Sequence, residues 1–198
     1  YTDVAVYLPL EDNWMRHELP EHLRRPSAAY HWELQYERFP EPVRGYRPTW
    51  VTAPFLAQAD YRKGALAIGP ARFSALYVDV EWLDAGALTQ LLRLARQGLP
   101  ICLTRVPKQP GRHQAPSYAA DLAALLARRN VSAELSRVVK HAPLVEGPSL
   151  PEYWVREYGD DLLFFFAHPL SKGVKYPLSY GQSFSAGPER VPVVLNHR

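Results

Sequence analysis

FSALYVDVEWLDAGALTQLLRLARQGLPICLT, residues 73–104, decides the fold class. Phe73 to Val80 is a short run of aromatic, aliphatic and β-branched residues with almost no polar interruption, which predicts a strand buried on both faces. Asp84 stands where a helix N-cap belongs. Behind it Ala87, Leu88, Leu91, Leu92, Leu94 and Ala95 recur at helical spacing, and Gly98 occupies the C′ position. Leu99 to Thr104 is again strand-like. A strand, a helix and a second strand in such close succession predict a βαβ unit with parallel strands.

The same rhythm extends to both sides. Upstream, Asp3 to Leu8 predicts a buried strand ended by Pro9, and Leu10 to Trp14 reads as a polar loop. Arg16 to Pro26 looks irregular, and Ser27 caps a predicted helix over 28–36 that Pro40 and Pro42 stop. Thr49 to Thr52 predicts a short strand and Pro54 to Ala59 a short helix. Ala65 to Ile68 is a further extended segment between Gly64 and Gly69. Downstream, a proline-rich basic loop spans Arg105 to Pro116. Ser117 is expected to cap a helix with Leu122, Leu125 and Leu126 inward, and Val131 to Leu135 to form a last strand. Alternating strands and helices predict an α/β domain over residues 1–142, with a mostly parallel sheet covered on both faces.

After Pro143 the pattern changes. Gly147 to Pro151 reads as a linker. Tyr153–Tyr158 and Leu162–Ala167, joined through Gly159, predict a β-hairpin, and Val191 to Leu195 another strand. Residues 143–198 are therefore expected to be a linker and hairpin that begin a β-sandwich or pack on the α/β domain. Phe164, Phe165 and Phe166 cannot share one face of a strand, so both faces are expected to be covered.

Composition narrows the function classes. Net charge is +3 over 198 residues, with basic residues scattered, which gives no stripe for nucleic acid. Nothing approaches the roughly 18 consecutive apolar residues of a membrane span. Cys102 is the only cysteine, which excludes an internal disulfide and a cysteine zinc cage. Flanked by Ile101 and Leu103, it reads as a core thiol, not as a nucleophile on a strand-to-helix elbow. The histidines form no metal motif, and no glycine-rich phosphate loop occurs, so neither metal nor cofactor is expected. The opening at Tyr1, directly before a strand, is expected of a piece of a longer polypeptide.

Ligands of parallel α/β sheets gather beyond the carboxyl ends of the strands. Three polar loops are expected there: Glu11, Asp12, Asn13 and Trp14; Asp79, Glu81, Trp82 and Asp84; and Arg105, Lys108, Arg112 and His113. They read first as solvated residues or as contacts with a neighbouring domain. The alternative is a sugar-binding surface, in which tryptophan faces stack on the sugar while carboxylates and guanidinium groups bond its hydroxyls. Asp79 and Glu81 are also a candidate acid–base pair for an independent hydrolase. Against that stands the plain capping role of Asp84. His168, at the end of the second hairpin strand, is a further candidate contact to ligand.

The order of elements, with several phrases, resembles α-L-rhamnosidases of glycoside hydrolase family 106 and their uncharacterised relatives. Asp3-Val4-Ala5-Val6-Tyr7-Leu8-Pro9 followed by Trp14 is similar to the segment after the catalytic barrel. Gly64 to Gly69, Phe73 to Val78 and Leu83 to Leu94 are similar to the middle domain. Arg156, Gly159 and Asp160 through Ala167-His168-Pro169 resemble the hairpin that follows. The resemblance implies a flavodoxin-like or glutamine-amidotransferase-like domain followed by β-sandwich material. It also implies that catalysis, the hydrolysis of terminal L-rhamnose, belongs to carboxylates of a barrel not contained in these residues. No catalytic residue carries over. The expected role is a non-catalytic accessory domain of a larger glycoside hydrolase, with the catalytic barrel of the same polypeptide as partner. The compartment stays open; a parent resembling bacterial glycosidases implies a secreted or periplasmic one.

Overall fold

The computed structural model describes residues 2–17, 39–112, 114–148, 150–167 and 190–196. The predicted helix over 28–36 and the candidates His113 and His168 lie outside them. Along the chain, strand β1 (Val4–Tyr7) leads into helix α1 (Leu10–His17). A 3-10 helix (Glu41–Tyr46) then precedes β2 (Thr49–Val51) and α2 (Ala53–Gln58). An antiparallel meander follows, β3 (Asp60–Arg62), β4 (Ala65–Ile68) and β5 (Ala71–Phe73). Next come β6 (Ala75–Val78), α3 (Ala85–Arg96), β7 (Ile101–Leu103), α4 (Tyr118–Leu126), β8 (Val131–Ser132) and α5 (Leu135–Val138). The last elements are β9 (Val145–Glu146), β10 (Glu152–Tyr158), β11 (Asp161–Ala167) and β12 (Val194–Leu195).

The protein is mixed α/β. Its centre is a five-stranded parallel sheet in the order β2-β1-β6-β7-β8. Every residue of β1, β6 and β7 is buried, as their unbroken apolar runs require. Alternation along the strands divides the core. Ala5, Tyr7, Leu76, Val78, Ile101 and Leu103 pack with the apolar stripe of α3, with Leu56 of α2 and with Leu125 of α4. Val4, Val6, Ala75, Tyr77 and Cys102 face the other way, against Val43 of the 3-10 helix and Leu135 and Val138 of α5. Helix α3 is capped as its sequence predicts. The Asp84 carboxylate accepts from the amides of Gly86 and Ala87, and Gly98 takes the left-handed φ of 102° that ends the helix.

Four local expectations are corrected. Leu10 to Trp14 is not a loop but the first part of α1. Glu11 and Asp12 sit in its first turn, where unpaired amides favour acidic side chains. The run from Phe73 to Val80 is two strands, not one. Ser74 separates the meander from the parallel sheet, donating its amide to Asp3 O and its hydroxyl to Asp3 Oδ1. Ser117 adopts a helical conformation and makes no side-chain cap. The last parallel strand stops at Ser132, whose Oγ accepts from the amide of Glu134 and turns the chain into α5.

The hairpin forms as predicted, in full register from Glu152↔Ala167 to Tyr158↔Asp161, with Gly159 at positive φ in the turn. Its inner face, Tyr153, Val155, Leu162 and Phe164, packs on fully buried Leu144 and Val145. The region is tied to the 3-10 helix: Arg44 Nη2 donates to Leu150 O, and the Arg47 amide donates to Tyr153 Oη at 3.1 Å. The expectation that both faces are covered fails for the described residues. Phe165 is 55% exposed beside its cross-strand neighbour Trp154, also 55% exposed. On that outer face the Arg47 guanidinium lies over the Trp154 ring, 5.8 Å from its centre, and Phe165 stays largely uncovered among the described residues.

Candidate functional site

The carboxyl ends of β1, β6 and β7 carry most of the residues singled out from sequence, and the fold brings these together. Asp12, in the first turn of α1, is buried and reaches the loop after β6. Its Oδ2 accepts from the Glu81 amide at 3.0 Å and its Oδ1 from the Trp82 amide at 2.6 Å. That loop is also stitched to the one after β7. The Lys108 amide donates to Glu81 O at 2.8 Å, and the Leu83 amide to Lys108 O at 2.9 Å. Lys108 Nζ stands 3.3 Å from Glu81 Oε1 and 5.4 Å from the centre of the Trp82 ring. Asp79 Oδ1 accepts from the Thr104 hydroxyl at 2.6 Å and pairs with Arg105, whose Nη2 lies at 2.6 Å. Trp14 projects away, 62% exposed.

Behind these surface pairs lies a buried polar group that sequence reasoning missed. Tyr7 Oη donates to Glu11 Oε1 at 2.7 Å. Burial first, then the charge of Glu11 and this hydrogen bond, push the Tyr7 phenol far above its ordinary range. Tyr118, at the start of α4, is pushed up to about 12 by burial and then by the charges of Asp84 and Glu11. Both phenols therefore keep their protons at neutral pH and can only donate or accept hydrogen bonds. Glu11 Oε2 and Tyr118 Oη are buried with no hydrogen-bond partner among the described residues. The sequence signal for Tyr7–Glu11 was a tyrosine at a strand end, one helical turn before a carboxylate. Tyr118 gave none, because its place depends on how α4 lies against the sheet.

The orphan hydroxyl makes Tyr118→Phe informative. An unpaired buried hydroxyl costs about 1–3 kcal/mol, and phenylalanine fills almost the same volume without it. The variant is expected to match the wild type in urea unfolding, or to exceed it by about 1 kcal/mol. A clear loss of stability would mean that the hydroxyl has a bonded partner in solution.

Cys102 is fully buried in β7, and burial first, then the charge of Asp79, pushes its thiol up to about 12. It is an inert core group, as its neighbours suggest. Among the described residues no cluster of three or more His, Cys, Asp or Glu side chains is arranged to hold a metal ion, and no helix is long and apolar enough to cross a membrane.

Compared with protein-family models, curated proteins and solved structures, the chain matches none.

Proposed function

We propose that this chain is a non-catalytic accessory module that works by contact, in the manner of the post-barrel domain of a glycoside hydrolase of the α-L-rhamnosidase type. The observation that carries the reading is the commitment of the edge carboxylates. Asp12 holds two backbone amides, Asp79 is engaged by Thr104 and Arg105, Glu81 pairs with Lys108, and Asp84 caps α3. A glycosidase needs one carboxyl group to hand over a proton and a second to attack or to activate water. Here Asp79 and Glu81 brace loops instead. Counting only the parallel strands, the sheet order is 2-1-3-4-5, which supports a flavodoxin-like arrangement with its switch point between β1 and β6. The link to a hydrolase rests on the sequence resemblance, and the partner it implies is the catalytic barrel of the same polypeptide.

A second reading, a carbohydrate-binding module, is favoured by one observation, the exposure of Trp14 to solvent on α1. The two separate experimentally. The isolated chain is expected to show no turnover of aryl α-L-rhamnosides and no binding of rhamnose-containing oligosaccharides in calorimetry. Turnover lost in Asp79→Asn or Glu81→Gln would overturn the non-catalytic reading. Saccharide binding lost in Trp14→Ala would replace it with the second.

A further inference from the structure

The second strand of the hairpin is built unlike a strand meant to end a sheet. From Leu162 to Phe166 it reads Leu-Leu-Phe-Phe-Phe, with no charge, proline or glycine inside. One edge of β11 pairs with β10. Among the described residues no strand pairs with the other edge, because the sheet has two strands only. Its outward side chains are half exposed, Leu163 at 46% and Phe165 at 55%, and Trp154 on β10 extends the same surface. Natural edge strands are protected from pairing by inward charges, proline, bulges or a covering element. No charge, proline or glycine interrupts 162–166, and no strand among the described residues covers the edge.

We propose that the free edge of β11 pairs with the same edge of a second copy, forming a closed two-fold dimer with a continuous four-stranded sheet β10-β11-β11-β10. The strand is self-complementary in this role. Antiparallel pairing centred on Phe164 sets Phe164 against itself, Leu163 against Phe165, Leu162 against Phe166, and Asp161 against Ala167. Apolar residues meet apolar residues at every central position, and no like charges are opposed, which is the pairing rule for neighbouring strands. Opposed residues share a face. Each Phe165 therefore lies beside the other copy's Leu163 and extends the Trp154 surface across the axis. Pairing consumes the free β11 edge of each copy, so this two-fold contact closes on itself at two copies.

Sedimentation of the full chain over a wide concentration range tests the proposal. A reversible monomer–dimer equilibrium is expected. Leu163→Lys and Phe165→Lys, both on the outward face, are each expected to weaken it by at least about tenfold while leaving the monomer's fold intact. Mixing Phe165→Lys with Leu163→Glu is expected to restore a heterodimer, because the register sets the introduced lysine opposite the introduced glutamate. An unfolded variant could not give this rescue. A wild type that stays monomeric, or that grows into open-ended aggregates, would overturn the closed dimer. A dimer that persists in both lysine variants would place the interface elsewhere, and a failed rescue would refute the register.

Discussion

Asp12→Ala is expected to destabilise the protein by about 3 kcal/mol, since each hydrogen bond to a charged group contributes about 1.5–3 kcal/mol and two are lost together. The carboxylate is buried and holds the amides of Glu81 and Trp82 from below. Alanine leaves both donors facing a gap, and the loop that they belong to carries the bonds to Lys108. The damage should therefore spread along the whole edge. Asp12→Asn keeps one accepting oxygen and should lose roughly half as much. Urea unfolding measures both. A loss below about 1 kcal/mol for the alanine variant would show that water replaces the carboxylate at no cost.

Gly45→Ala is expected to cost about 2–3 kcal/mol, toward the upper end for an overpacked site. Gly45 lies in the 3-10 helix, where the chain from Pro143 to Val145 passes over it. A methyl group would stand 2.8 Å from Pro143 Cβ and closer still to the Val145 carbonyl oxygen. The obstacle is backbone and a rigid ring, neither of which can swing aside. The φ angle is ordinary for any residue, so the cost is purely steric. The effect should be local as well as global. Hydrogen exchange should quicken first at Val145, Tyr153 and Val155, which pack beside the seam, and only later in β1 and β6. Uniform quickening would mean that the seam and the parallel sheet unfold as one unit.

Much of the fold is legible because periodicity speaks directly about burial. Strands β1, β6 and β7 and helix α3 follow from apolar runs and from the Asp84 and Gly98 signals. What escapes depends on partners. Ser74 splits an apparently continuous strand because its hydroxyl finds Asp3, distant in sequence. Glu11 and Asp12 look like loop residues until the amides of a helix start are placed beside them. At the candidate site, strand-end logic identifies Glu11, Asp12, Asp79, Glu81, Trp82, Arg105 and Lys108 as neighbours. It does not reveal that they brace one another, since Asp79–Thr104 and Glu81–Lys108 arise from the relative heights of strand ends. Tyr118 comes from a helix beyond the sheet, and no local pattern points to it.

The central place of β1 has a consequence for how the chain is made. Asp3 is bonded to Ser74, 71 residues away, and faces His141, 138 residues away. During synthesis β1 leaves the ribosome well before either neighbour, with both hydrogen-bonding edges bare. At about 5–20 residues per second, several seconds pass before β6 arrives. Contacts this distant in sequence slow folding, because loop closure must precede the energy they release. The nascent chain thus passes through an interval in which Val4 to Tyr7, among the most apolar segments of the molecule, stays open to chaperones and to misplaced strands, and the sheet can be sealed only after its far edge has been translated.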